Sequence, residues 1–177
     1  MHNSLLQAEQ MCCIIGIGDL MATKTNAVRL VQQAGIPCSE AFYEFDENDL
    51  NGMHAAHAIG KPAEEVFKTL VARGERTGIN VFCIPVCCEL NLKKAAKAAG
   101  DKNMELVAVK ELLGLTGYIR GGCSPVGMKK KYPTYFDETC ELYSEIAVSA
   151  GARGHQMLVP PMDLAQLLGA KLVDITD

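Results

Sequence analysis

The chain has no tryptophan, and only five tyrosines and five phenylalanines among its 177 residues. It has no apolar run approaching the ~20 residues that a membrane span requires. The nearest stretch, Met11 to Ile17, is interrupted by Gly16 and followed by Gly18 and Asp19. No positively charged segment precedes it, so it does not read as an export signal. No excess of positive charge is present either: 17 Lys and Arg stand against 21 Asp and Glu, a net charge of −4. That excludes a general nucleic-acid coat while leaving room for a local basic patch. With 49% apolar and 21% charged residues, the composition also excludes a disordered chain.

Several catalytic signatures are missing. Gly16 and Gly18 form a G-x-G, but Met21 stands where a dinucleotide fingerprint needs its third glycine. There is no phosphate loop of the G-x-x-x-x-G-K type and no G-x-S-x-G elbow. The eight cysteines, at 12, 13, 38, 83, 87, 88, 123 and 140, contain no C-x-x-C pair. His54 and His57 are distant from them and belong to no metal motif. No metal is expected. With no membrane segment and no export signal the expected location is cytoplasmic, where these cysteines stay reduced and pack as small apolar side chains.

What is present is a mixture of short strands and helices without regular β-α-β alternation. Thr25 and Asn26 can cap a helix through Val31, stopped by Gly35 and Pro37. Strands are expected at Glu40–Phe45, Val66–Ala72, Ile79–Val86, Glu145–Val148, Gln156–Val159 and Lys171–Ile175, with a short apolar run at Met104–Val107. Helices are expected at Met53–Ile59, Leu92–Ala99 (capped by Asn91), Val109–Leu115 and Pro161–Leu168. Asp46–Asn51 and Gly74–Gly78 read as turns. The class is α/β with a mixed, curled sheet.

Three segments carry possible chemistry. In the strand Val66–Val71, Lys68 shares a face with Leu70, while Phe67, Thr69 and Val71 point the other way. An ammonium in an apolar strand needs a partner or water. It is therefore either an edge lysine whose head reaches solvent or a cation lining a cleft for an anionic substrate. Gly117-Tyr118-Ile119-Arg120-Gly121-Gly122-Cys123-Ser124-Pro125-Val126-Gly127 is the most irregular segment. It leads into Lys129, Lys130 and Lys131 and reads either as a surface turn or as a phosphate-binding rim. Ser149-Ala150-Gly151-Ala152-Arg153-Gly154 again places small residues around a cation.

These segments, with Asn91–Lys97 and the tail Asp163–Ile175, occur in an order that resembles the YbaK/EbsC family of free-standing Cys-tRNA(Pro) deacylases. The resemblance covers residues 22–177, leaving residues 1–21 as an N-terminal extension. It implies a mixed, barrel-like β-sheet surrounded by helices, related to the editing domain of prolyl-tRNA synthetases. It implies hydrolytic removal of cysteine mischarged on proline tRNA, with no cofactor. The family's lysine falls on Lys68, with Thr69 beside it. The glycine lying against the aminoacyl group falls on Gly121, followed by Gly122 and by Pro125 at the end of the G-x-x-x-P loop. Pocket positions fall on Tyr43 and Ser149. Arg120, Lys129, Lys130, Lys131 and Arg153 are the expected contacts to tRNA.

Two residues depart from the family pattern: Ala152, usually Lys, and His155, commonly Leu. The resemblance further implies that the substrate's own thiol attacks its ester, and that the partners are the acceptor end of tRNA(Pro) and prolyl-tRNA synthetase. A deacylase for another small amino acid on tRNA, of the Ala-tRNA(Pro) type, and a non-catalytic tRNA-end binding module remain as alternatives.

Overall fold

The computed structural model describes residues 24–177; the expected extension over residues 1–21 lies outside them. Thr25 accepts a hydrogen bond from the amide of Val28 and so caps α1, Asn26–Gln33. β1, Ser39–Phe42, follows, then α2, Gly52–Ala58, capped by Asn51. β2, Val66–Gly74, and β3, Gly78–Pro85, form a long antiparallel hairpin. α3, Leu92–Ala99, is capped by Asn91, whose side-chain Oδ1 accepts hydrogen bonds from the amides of Lys93 and Lys94. β4, Met104–Leu106, and α4, Val109–Thr116, lead into the glycine loop. β5, Thr134–Asp137, β6, Ile146–Ala152, β7, His155–Val159, α5, Pro161–Leu168, and β8, Lys171–Val173, complete the chain.

The eight strands form one mixed sheet in the order β1-β7-β6-β2-β3-β5-β8, with β4 joined separately to β2. The path is open, beginning at β1 and ending at β8. β2/β6, β3/β5 and β5/β8 are parallel; β1/β7, β6/β7, β2/β3 and β2/β4 are antiparallel. β3 is apolar from Val81 to Pro85 because both its faces are covered there. Val81 and Cys83 pack with Val28, Val31 and Leu164 beneath α1 and α5. Phe82 and Ile84 pack with Ala95, Ala96 and Tyr135 beneath α3. A smaller cluster joins Ala56 of α2 to Val66, Val86 and Ala147.

The expected elements are all present, with shifted ends. β1 stops at Phe42 rather than Phe45, because its partner β7 begins at His155; the amide of Tyr43 makes one last in-register bond to the carbonyl of Gly154, where the partner strand turns away. β6 runs on to Ala152, so the turn before β7 is tighter than Gly151–Gly154. β5 is an additional strand that the local pattern does not announce. Its pairings with β3 and β8 are parallel and distant in sequence, and such pairings leave no hairpin signal in the chain.

Candidate functional site

β2 pairs with two different strands along one edge. Val66 and Phe67 lie beside β6, whereas Ala72, Arg73 and Gly74 lie beside β4. Lys68, Thr69 and Leu70 fall in the gap, with no strand partner on that side among the described residues. The sheet splits there, and the split is the floor of a cleft of about 620 Å³. Its walls come from the Tyr43–Asn51 segment and the start of α2, from Leu106, Val109 and Leu112, from Arg120, Gly121 and Cys123, and from Ser149, Arg153, Gly154 and Gln156.

Lys68 lines this cleft and also reaches solvent. Its side chain is about one-quarter exposed, and Nζ donates to the carbonyl of Val86 at 3.4 Å and to Glu89 Oε1 at 3.3 Å. Glu89 is itself largely exposed, so the ion pair is screened by water and the ammonium stays available to the cleft. Thr69 Oγ1 lies 3.8 Å from Cys83 Sγ on the neighbouring strand.

The glycine loop faces this edge. Gly121 has φ +85°, and a Cβ there would lie 2.9 Å from a methyl of Leu50. Only glycine takes this turn without strain and leaves its backbone open to the cleft. A Cβ on Gly122 would come within 3.1 Å of the backbone of Ala152 and Arg153, so this residue seats the loop on the β6–β7 hairpin. The loop is closed from inside: Tyr118 Oη donates to the carbonyl of Val126 at 2.6 Å, and the amide of Val126 donates to Ser124 Oγ at 3.2 Å.

The expected site residues thus divide. Tyr43, Lys68, Thr69, Arg120, Gly121, Ser149 and Arg153 line one cleft. Gly122 and Pro125 are buried behind its surface. Lys129, Lys130 and Lys131 are exposed and outside its lining. Lys129 is also tied down, with Nζ donating to the carbonyl of Leu113 at 3.2 Å. Arg153 clamps the rim: Nε donates to the carbonyl of Arg120 at 3.0 Å and a guanidinium nitrogen to Glu47 at 3.0 Å. His155 points away from the cleft. It pairs with Glu40 at 2.8 Å and stacks on Phe42, with ring centroids 4.2 Å apart.

Burial pushes the Cys123 thiol up to about 12, and it pushes Cys83 well above the ordinary thiol range. Both thiols are therefore held protonated and are poor nucleophiles near neutrality. Ser149 Oγ accepts from the amide of Gly151 at 3.2 Å. Asn48, Asp49, Asn51, His54 and Gln156 are polar lining residues outside the expected set. His54 places Nε2 3.3 Å from the carbonyl of Glu44. Gln156 lies opposite Ser149 across β6 and β7, so pairing the two strands would have pointed to it. Among the described residues no group of three or more His, Cys, Asp or Glu is placed to hold a metal ion.

Residues 53–167 match the aminoacyl-tRNA editing domain. The chain belongs to this family, and the matched span contains the β2 edge, the glycine loop and the β6–β7 hairpin. An Enterococcus faecalis protein described as a candidate Cys-tRNA(Pro)/Cys-tRNA(Cys) deacylase, EbsC, is 45% identical over 153 residues, 86% of this chain and 93% of that protein. A proline–tRNA ligase of Shouchella clausii is 31% identical over 101 residues, 57% of this chain and 18% of the ligase. The crystal structure of a candidate trans-editing enzyme for prolyl tRNA synthetase is similar with a TM-score of 0.72 and 27% identity, covering 86% of this chain and 98% of that one.

Proposed function

We propose that this protein removes cysteine from mischarged Cys-tRNA(Pro), using the thiol of the substrate as the nucleophile. The observation that carries this reading is a cleft between an open strand edge and a glycine loop whose lining thiol among the described residues, Cys123, is buried and held protonated. Cys123 and Cys83 are held protonated, and Ser149 Oγ is occupied as an acceptor for the Gly151 amide. We assign the attack to the thiol that the substrate itself brings.

A cysteine thiol of ordinary pKa, about 8.5, is a few per cent thiolate at neutral pH. Held against its own ester, its sulfur attacks the carbonyl carbon. The carbon–sulfur bond forms, the ester carbon–oxygen bond breaks, and the tRNA 3′ oxygen leaves with the proton that the thiol gave up. The product is a cyclic thiolactone, which water opens to cysteine. The protein's part is to fold the aminoacyl group into the reactive conformer, where high effective molarity lowers the barrier. Lys68 anchors the terminal nucleotide by its charge, and the Gly121 backbone positions the aminoacyl group. Arg120 and Arg153 form the rim toward the RNA.

The test is deacylation of Cys-, Ala- and Ser-tRNA(Pro) by the wild-type protein and by Cys123→Ala. Cys-tRNA is expected to turn over about a hundredfold or more faster than the other two, in line with intramolecular attack. Cys123→Ala is expected to stay within about threefold of wild type, since a buried protonated thiol takes no part. Equal rates on the three substrates overturn the thiol step. Turnover of none overturns the deacylase reading in favour of a binding module.

A further inference from the structure

Gln156 is 6% exposed, lies on the wall of the cleft, and keeps a buried Oε1 with no hydrogen-bond partner. An orphaned amide oxygen costs free energy that the fold does not recover by itself. Its other end is loosely held as well: Nε2 has only the Tyr43 hydroxyl, at 3.5 Å. The terminal torsion of a glutamine is soft, so a half-turn of the amide brings the oxygen to the Tyr43 side of the cleft without breaking a good bond. Ser149 sits directly opposite Gln156 across the two strands. This wall therefore presents the oxygens of Gln156 and Tyr43, with Ser149 Oγ, which already accepts the Gly151 amide, beside them. Such a wall suits a group that only donates and has several protons to offer.

We propose that Gln156 is the acceptor for the α-amino group of the substrate, fixing the end of the aminoacyl moiety opposite the ester. This deepens the deacylase reading and rests on it for the identity of the ligand. An aminoacyl ester carries such an amine whatever its side chain, and the amine donates in either protonation state. Held at Gln156, it pivots the aminoacyl group about a fixed point. The side-chain sulfur then has only a short swing to the carbonyl carbon presented at Gly121. Gln156 is a substrate-positioning contact, and its loss weakens the amine's grip without disturbing the nucleotide end.

The experiment measures binding, so it does not depend on turnover. Two non-hydrolysable adenosine 3′-amides are compared by calorimetry, one carrying cysteine and one carrying 3-mercaptopropionate, which lacks only the α-amino group. Wild type is expected to bind the cysteinyl compound about ten- to a hundredfold more tightly, the worth of a hydrogen bond to a charged group. Gln156→Met keeps the length and removes the acceptor, so it should bind both compounds at the weaker level. Gln156→Glu restores an acceptor and should restore the preference. Equal wild-type affinities, an equal loss for both compounds in Gln156→Met, or no saturable binding of either overturns the proposal. Preference for the amine together with no hydrolysis of any charged tRNA would overturn the deacylase reading and leave this contact standing.

Discussion

Lys68 is the residue whose chemistry the surrounding sequence makes most visible. An ammonium between Phe67 and Leu70 contradicts the apolar run around it, and the contradiction is resolved by the stretch of the β2 edge between β6 and β4, which has no strand partner among the described residues. Its ion pair with the exposed Glu89 adds little to stability, because exposed pairs contribute about 0–1 kcal/mol. Lys68→Ala should therefore unfold within about 1 kcal/mol of wild type in urea. Its kcat/KM for Cys-tRNA(Pro) should fall about a hundredfold or more, as when a charged group that stabilises a reacting complex is removed. Near wild-type deacylation would remove Lys68 from the site. Gln156 is the opposite case. A polar residue in an alternating strand reads as an ordinary outward position, and only the pairing with Ser149 brings it to the cleft.

At the scale of elements, the β2–β3 hairpin was readable because its strands are apolar and its turn carries Gly74 and Gly78. The support of that turn was not readable, since it comes from Asp101 beyond α3. The Asp101 carboxylate accepts hydrogen bonds from the amides of Arg76, Thr77 and Lys102 and from the Thr77 hydroxyl. Burial works to raise its pKa. The amides of Thr77 and Arg76, the Thr77 hydroxyl and the Lys102 amide outweigh that and hold the group well below the usual carboxylate range. A carboxyl depressed in the folded state stabilises at pH above its unfolded value, about 4, and loses that contribution as pH falls below it. Urea midpoints of wild type and Asp101→Asn should thus differ fully from pH 5 to 7 and converge as the pH falls below about 4. A gap constant down to pH 2.5 would show that the carboxylate does not hold the turn by its charge. β5 was hidden for a related reason: Tyr135 and Phe136 are buried only because β3 and β8 come from distant parts of the chain.

For the whole molecule, the question is how a chain of net charge −4 takes an RNA substrate. Cations must be concentrated where the RNA lies, and the exposed candidates are Arg120 on the cleft wall and Lys130 and Lys131 beyond the glycine loop. A small domain gripping an acceptor end meets few phosphates, so binding should depend on salt, but only moderately. Each phosphate neutralised on a single strand contributes about 0.7 to the slope of log K against log salt. If Lys130 and Lys131 each hold one, their joint replacement by alanine should lower the slope by about 1.4. At low salt it should weaken Cys-tRNA(Pro) without changing affinity for the short adenosine amides. An unchanged slope would place both lysines outside the RNA footprint. A rim of so few cations would give little grip on tRNA identity, so selectivity is tested with a second protein present. Added prolyl-tRNA synthetase is expected to co-sediment with the protein when tRNA(Pro) is present and to raise its preference for Cys-tRNA(Pro) over Cys-tRNA(Cys). Absence of the complex, with the preference unchanged, would mean that this domain selects its tRNA through its own rim.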